Sequence, residues 1–405
     1  MKIKSIIILG IAQIIFKHLI EMAQRMAQKE SENHFNVVLT GGGTAGHVWP
    51  HFALFEASNS ALAKAFQENK INVHYVGSQS GMEKDLVLSN QPTWKYYSIA
   101  TGKLRRYFSL KNFTDPFLIL LGIIQAFILL GKVKASIVFS KGGFVSAPVV
   151  WAAWLRGIPI IIHESDATPA LATKLTIPFA LKALVAFPET IKRISPLFQN
   201  RVIEIGLPIR ESLFSATKEE SQKYFSLSPE RKTILIFGGS LGAQSLNKKM
   251  FDIIPELHNN YNIIHIVGKG NKFEIPGLSN YRQLEFLNDG MKFAYACADL
   301  AICRAGASSI FELAAARVPM ILIPLGMHAS RGDQIINARI FMNKGWAQSI
   351  DENTFQNNSA IQLIESTINS LEERKKALES APTKESAMKT ADLIWEILLK
   401  NENNK

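Results

Sequence analysis

From residue 34 onward, short apolar runs alternate with longer segments of helical periodicity. "FNVVLT", "NVHYVG", "ASIVFS", "IPIIIHE", "ALVAF" and "RVIEIG" are rich in Val and Ile and bounded by glycine, proline or polar residues, as strands are. Segments between them, such as 50 to 69, have helical length. The pattern restarts at 232 to 250, "KTILIFGGSLGAQSLNKKM", and continues through "NIIHIVG", "LAICRAG" and "PMILIPL". This alternation predicts an α/β chain of two doubly wound halves, each a parallel sheet with helices on both faces. The halves run over 34 to 210 and 211 to 375, and a polar stretch, "SATKEESQKYFSLSPERK", begins the second. Residues 376 to 405 read as a C-terminal helix and a polar tail. Such sheets bind ligands outside the carboxyl ends of their strands, so the site is expected between the halves.

The first 33 residues do not fit this plan. They open with lysines and an apolar block from Ile6 to Phe16, shorter than the roughly 20 residues a membrane-spanning helix needs. An amphipathic helix on a membrane surface and an appended leader are both open readings. The 405 residues are 47% apolar and 20% charged, which supports large cores and argues against disorder. The net charge of +11 suits an acidic partner without choosing among nucleic acid, nucleotide phosphate and anionic lipid. The two cysteines, Cys297 and Cys303, lack a CxxC spacing and read as buried thiols of a reducing compartment.

Five glycine-bearing or polar segments follow strand ends. "TGGGTAGH" closes the first strand, and "FGGSLGAQ" closes the first strand of the second half with Ser240 in the loop. Glycine lets backbone approach a ligand, and a following helix offers free N–H groups to an anion. A structural turn is the plain alternative for each. "SKGGFVSAPV" and "HESDATP" place a glycine pair and then His163, Glu164, Ser165 and Asp166 after neighbouring strands. "GLPIR" ends in Arg210, whose guanidinium suits a diphosphate or simply solvent.

"RAGASSIFELAAARVPMILIPL" carries Ser308 and Ser309 at a helix start and Glu312 just beyond. N–H groups and serines there suit phosphate, and a carboxylate suits ribose hydroxyls. The alternative for Glu312 is a favourable charge in the first helical turn. "SRGDQIINA" adds Arg331, Asp333 and Gln334, polar enough to face a sugar. No GxxxxGK[ST], no Asp-x-Asp and no His/Cys cluster with metal spacing occurs, so neither a P-loop NTPase nor a metal-anchored mechanism has a visible footing. Basic residues interleave with aromatics only near 103 to 111, too little for a nucleic-acid face.

Taken in order, "GGGTAGHVWP", "SKGGFVSAPV", "HESDATP", "GLPIR", "GGSLGAQ", "RAGASSIFELAAARVPMILIPL" and "SRGDQIINA" resemble the MurG family of peptidoglycan glycosyltransferases. The resemblance covers about residues 35 to 400. It implies two Rossmann-like domains facing a cleft, the GT-B plan. It also implies inverting, metal- and cofactor-independent transfer of N-acetylglucosamine from UDP-N-acetylglucosamine to lipid I, giving lipid II. The first domain would take the lipid and the second the UDP-sugar. By resemblance, Thr44, Ala45 and Gly46 form the loop at the donor–acceptor cleft, and His47 stands near the attacking hydroxyl. Arg210 and Ser240 contact the UDP portion, and the Leu287 backbone faces uracil. Ala307, Ser308, Ser309, Ile310, Phe311 and Glu312 form the nucleotide turn and helix, with Glu312 on the ribose, and Gln334 meets the sugar.

Two positions depart from the family. Ala45 replaces a glycine, which costs little at negative φ and much at positive φ. Asp166 stands where Asn is frequent, and an ionised Asp accepts but cannot donate, which puts its sugar or acceptor contact in question. The lipid acceptor implies a peripheral enzyme at the cytoplasmic face of the cell membrane, with an anionic membrane surface and other cell-wall enzymes as partners. Lys103, Arg105, Arg106 and Lys111, followed by the apolar run Pro116 to Leu130, are expected to supply that surface. The run reads as too short to span, with part buried and an exposed tip touching lipid. A glycolipid glycosyltransferase with another acceptor, a UDP-sugar 2-epimerase and an inactive nucleotide-sugar scaffold remain as rival readings.

Overall fold

The computed structural model describes residues 34–403 apart from 103–110, 240–242, 274–276, 288, 327–331 and 382–384. Residues 1–33, Ser240, Arg331 and the basic residues Lys103, Arg105 and Arg106 therefore lie outside the described residues. Strands β1 (Phe35–Thr40), β2 (Ile71–Ser78), β3 (Lys95–Ile99), β4 (Ile137–Ser140), β5 (Ile160–Glu164), β6 (Lys182–Val185) and β7 (Val202–Glu204) form one sheet. Its order is β3-β2-β1-β4-β5-β6-β7. A second sheet holds β8 (Thr233–Phe237), β9 (Asn262–Ile266), β10 (Tyr281–Leu284), β11 (Leu300–Cys303), β12 (Met320–Leu322) and β13 (Gln348–Ser349), in the order β10-β9-β8-β11-β12-β13. Every pairing between these strands is parallel.

Both sheets reverse direction beside their first strand. In the first, Thr40 pairs with Val76 on one side and Ser140 on the other. In the second, Phe237 pairs with Ile266 and Cys303. The crevices outside these strand ends are where such sheets accept ligands, and the glycine loops emerge there. The central strands are buried on both faces: β4, β5, β8 and β11 have no exposed residue, which is why they read as unbroken apolar runs.

Three details differ from the sequence reading. The segment 50 to 69 is two helices, Trp49–Glu56 and Ala61–Gln67, with the second capped by the Ser60 hydroxyl. The final helix, Glu385–Asn403, returns to the first domain. Its Ala391, Ile394 and Leu398 join the core beside β1 and β2, and Trp395 meets Phe35 edge-on at 5.5 Å. The third is the helix Lys111–Lys132, which has 22 residues. Its stretch Thr114–Lys132 is long and apolar enough to cross a membrane by length and composition, and only 22% of it is buried. One edge is nonetheless docked: Ala126 and Leu130 are in the core, and Gln125 accepts the Ala100 N–H at 2.6 Å. The other edge exposes Phe117, Leu120, Leu121, Ile124 and Ile128.

Candidate active site

The first loop owes its shape to groups buried beneath it. Tyr75 donates to the Gly41 carbonyl at 2.9 Å. The fully buried Glu83 accepts from Gly43 N at 3.3 Å and from Ser78 N at 2.9 Å. The Gly43 N–H is thus committed to a carboxylate, and the anion cradle expected of this loop is narrower than its three glycines suggest. Gly43, at φ +89°, needs its freedom. Ala45 does not: it lies in a single 3-10 turn, Ala45–His47, at negative φ. Its replacement of a glycine therefore costs little.

That turn presents Thr44 and His47 together, Thr44 Oγ1 lying 2.9 Å from His47 Nδ1. Gly46 meets the other domain directly. A Cβ there would come within 2.9 Å of Ser308 Oγ, which would have to turn away, so close approach rather than backbone angle favours glycine.

Behind the turn, Lys141 is 2% exposed. Its Nζ lies 2.7 Å from His163 Nδ1 and donates to Ser165 Oγ at 2.6 Å. His163 Nε2 is 2.8 Å from the Gly206 carbonyl, so Nε2 carries the proton and Nδ1 accepts from the lysine. Burial pushes the Lys141 amine down to about 7, opposed by the charges of Glu164 and Asp166. His51, with neither ring nitrogen hydrogen-bonded, is held neutral by burial and by Lys141.

Across the gap, the helix Ala307–Ala315 starts at Gly306 without a side-chain cap, leaving its first N–H groups without intrahelical partners. Ser308 and Ser309 sit in this first turn, whereas Glu312 falls in the second, so the first-turn dipole explanation for Glu312 does not hold. Instead Glu312 accepts from the Tyr295 hydroxyl at 2.7 Å. Burial raises its pKa, and Tyr295 and the Arg210 charge partly offset this. Arg210 stacks over Trp49 at 3.8 Å, and its buried Nε has no hydrogen-bond partner.

A cleft of about 370 Å³ joins these parts. It is lined by Ala45, Gly46, Trp49 and Arg210 from one side and Gly238, Gly239, Leu287, Ser308, Ser309 and Glu312 from the other. A larger groove of about 690 Å³ runs past Ala314 to Val318 and Lys375. It touches neither glycine loop, so size does not select the site.

Four expected residues lie differently. Ile310 and Phe311 are buried in the core, Phe311 against Phe187 and Phe341, so only their backbone is available to a ligand. Gln334 spends its carbonyl oxygen on Leu325 N at 3.0 Å, leaving its NH₂ as the end for a sugar. Asp166 accepts from Asn337 Nδ2 at 3.1 Å, across the domain gap. That contact needs only an acceptor at 166, which an aspartate supplies as well as an asparagine. Glu83, Lys141, Tyr295 and Asn337 were not singled out by sequence reasoning. Lys141 and Asn337 lie inside the quoted segments, but nothing in their spacing marks them. Among the described residues, no group of three or more His, Cys, Asp or Glu side chains is placed to hold a metal ion.

Comparison with known proteins agrees with this geometry. The Glycosyltransferase family 28 N-terminal domain matches residues 37–185, and the family's C-terminal domain matches residues 233–397. The chain is 43% identical over 368 residues to the Clostridium botulinum UDP-N-acetylglucosamine--N-acetylmuramyl-(pentapeptide) pyrophosphoryl-undecaprenol N-acetylglucosamine transferase, covering 91% of this chain and 98% of that one. It is 45% identical over 321 residues to the protein of the same name from Oceanobacillus iheyensis, covering 79% and 87%. The solved structure of MurG from Acinetobacter baumannii superposes with a TM-score of 0.67 at 26% identity, covering 89% and 99%. A UDP-GlcNAc 2-epimerase from Neisseria meningitidis gives 0.62 at 14% identity, covering 91% and 100%, a likeness of fold alone.

Proposed function

The chain belongs to glycosyltransferase family 28, in its MurG branch, and from that premise we infer that it transfers N-acetylglucosamine from UDP-N-acetylglucosamine to lipid I in peptidoglycan synthesis. The observation that carries the assignment of the site is the meeting of Gly46 and Ser308. It brings the first loop against the N-terminus of the nucleotide helix.

In this reading UDP lies in the second domain. The free N–H groups at Ala307 to Ser309 and the Arg210 guanidinium face its phosphates. Glu312, fixed by Tyr295, takes ribose hydroxyls, and the Gln334 NH₂ takes the sugar. The acceptor comes from the first domain. Its hydroxyl attacks the anomeric carbon from the face opposite the phosphate, and the bond to UDP breaks with its electron pair leaving on the phosphate. The proton passes to His47 as general base; Thr44 orients the ring. Charge developing on UDP is met by Arg210 and the helix end.

The apolar edge of Lys111–Lys132 is the face we assign to the membrane. Phe117, Ile124 and Ile128 are exposed there, and so are Trp154 and Leu155 at the end of the helix Ser146–Leu155 that packs against it. One docked edge and one bare edge fit a helix lying in the bilayer surface better than one crossing it. This edge supports the reading of a peripheral membrane enzyme, and the lipid I acceptor supports the cytoplasmic leaflet.

The test is transfer of label from radiolabelled UDP-N-acetylglucosamine to a lipid I analogue, with EDTA present and UDP-glucose and UDP-galactose as competitors. Label in lipid, indifferent to chelator and competitors, is the expected result. Binding without transfer would overturn the acceptor assignment while leaving the donor site standing.

A further inference from the structure

We propose that Asn337 is a positioning residue for glycosyl transfer, its buried amide holding the acceptor-side segment in register with the nucleotide turn and the sugar-facing helix. The proposal rests on the transferase reading above. Asn337 has no exposed surface. Its Oδ1 accepts from Ala167 N at 3.2 Å, and its Nδ2 donates to Asp166 Oδ1 at 3.1 Å and to the Ala305 carbonyl at 3.2 Å.

Those partners belong to three parts of the site. Asp166 and Ala167 follow β5 in the first domain, directly after Lys141's partners His163 and Ser165. Ala305 precedes Gly306, where the nucleotide helix begins. Asn337 itself stands in the helix Asp333–Asn343, three residues after Gln334 and so on the same face. One side chain therefore touches the acceptor segment, the nucleotide turn and the element that carries the sugar contact.

Only an amide of this length does so. Aspartate would offer acceptors alone, facing both the Asp166 carboxylate and the Ala305 carbonyl; leucine would offer nothing. A buried donor or acceptor left unmade is costly, so the three segments hold one relative position while Asn337 is in place. Attack on the anomeric carbon depends on that position, because small misplacements of reacting groups are expensive in rate.

The test uses the full chain, the lipid I analogue and UDP-N-acetylglucosamine, with Asn337→Asp, Asn337→Ala and the reciprocal pair Asp166→Asn/Asn337→Asp. We expect Asn337→Asp to lower kcat about tenfold or more, with UDP affinity by calorimetry held within about threefold. The reciprocal pair restores a donor opposite an acceptor between 166 and 337, though not the bond to the Ala305 carbonyl, and is expected to recover part of kcat. A residue that merely supports folding would not show this rescue, nor a loss confined to kcat. Wild-type kcat in Asn337→Asp, or a folded reciprocal pair no better than the single variant, would overturn the proposal. Amide exchange at Ala167 reads the contact without activity. It is expected to speed up in Asn337→Ala, and unchanged exchange would overturn the proposal even if the acceptor assignment had failed. Failure of the wild-type protein to transfer would instead count against the transferase reading.

Discussion

The two domains repeat one strand order yet build their strand-end loops by opposite means. Under the first loop lie ionisable groups cut off from water: Glu83, His51, Lys141 and His163 are each 5% exposed or less. Glu83 is spent on fixing backbone and Lys141 and His163 on one another, while His51 packs edge-on against Tyr75 and Phe139 without a hydrogen bond. At the second domain's switch point the buried Arg304 has both terminal nitrogens engaged, by Glu352, Ser245 and the Ile323 carbonyl, and the polar groups Ser308, Ser309 and Glu312 line the cleft. The first domain is thus a stiff frame that presents Thr44 and His47. The second turns its polar groups toward the cleft. Substitutions in the first should appear in turnover, and those in the second in affinity.

The largest expected effect is that of His47→Ala. General-base catalysis contributes about a hundredfold to ten-thousandfold, so kcat should fall by at least about a hundredfold while UDP affinity stays near wild type. Equal losses in both would remove the base assignment and the contrast with it. Glu312→Ala should do the reverse. Losing a carboxylate that accepts ribose hydroxyls costs about 1.5–3 kcal/mol, so UDP affinity by calorimetry should drop roughly ten- to a hundredfold, with kcat at saturating donor changed far less. Unaltered affinity would mean that Glu312 serves only Tyr295.

A third effect falls outside the cleft. Replacing Phe117, Ile124 and Ile128 together by Ser removes exposed apolar surface that would bury in lipid at about 25 cal/mol per Å². Binding to anionic vesicles, followed by sedimentation, should weaken by about tenfold or more. Transfer to a water-soluble acceptor analogue should not change. Undiminished vesicle binding would return this helix to the status of an ordinary surface element.

These predictions draw unequally on what the sequence makes legible. Ten strands are readable as apolar runs: nine of them hold buried residues, and the tenth, β7, is an only partly buried edge strand that still carries an apolar pattern. Missing from that reading are β3, β10 and β13, all edge strands, with sequences such as "KYYSI" and "YRQL" and burial that is only partial. These three edge strands bury too little of themselves to need an apolar run. Ala45, Gly46, Arg210, Leu287, Ser308, Ser309 and Glu312 do line one cleft, because glycines and polar residues after apolar runs mark strand ends directly. The pairing of Asp166 with Asn337 spans 171 residues, and Glu83 supports a loop 40 residues earlier. Contacts of that kind depend on how two elements are folded together, and no local pattern encodes them.

Lys141 gives the finest test of the stiff-frame description, through stability rather than rate. Its amine is pushed from 10.5 down to about 7 in the folded protein, so between those values the unfolded chain binds more protons than the folded one. Stability then rises with pH. The lysine is a burden below about pH 7 and is progressively relieved as pH climbs toward the unfolded value. Lys141→Met lacks this dependence, while every other titrating group is shared. The wild-type protein should therefore gain on the variant by about 1–2 kcal/mol between pH 7 and pH 9, measured by urea denaturation. A constant difference across that range would mean that Lys141 stays charged against Glu164 and Asp166, and that the frame under the first loop is held by an ion cluster instead of neutral hydrogen bonds.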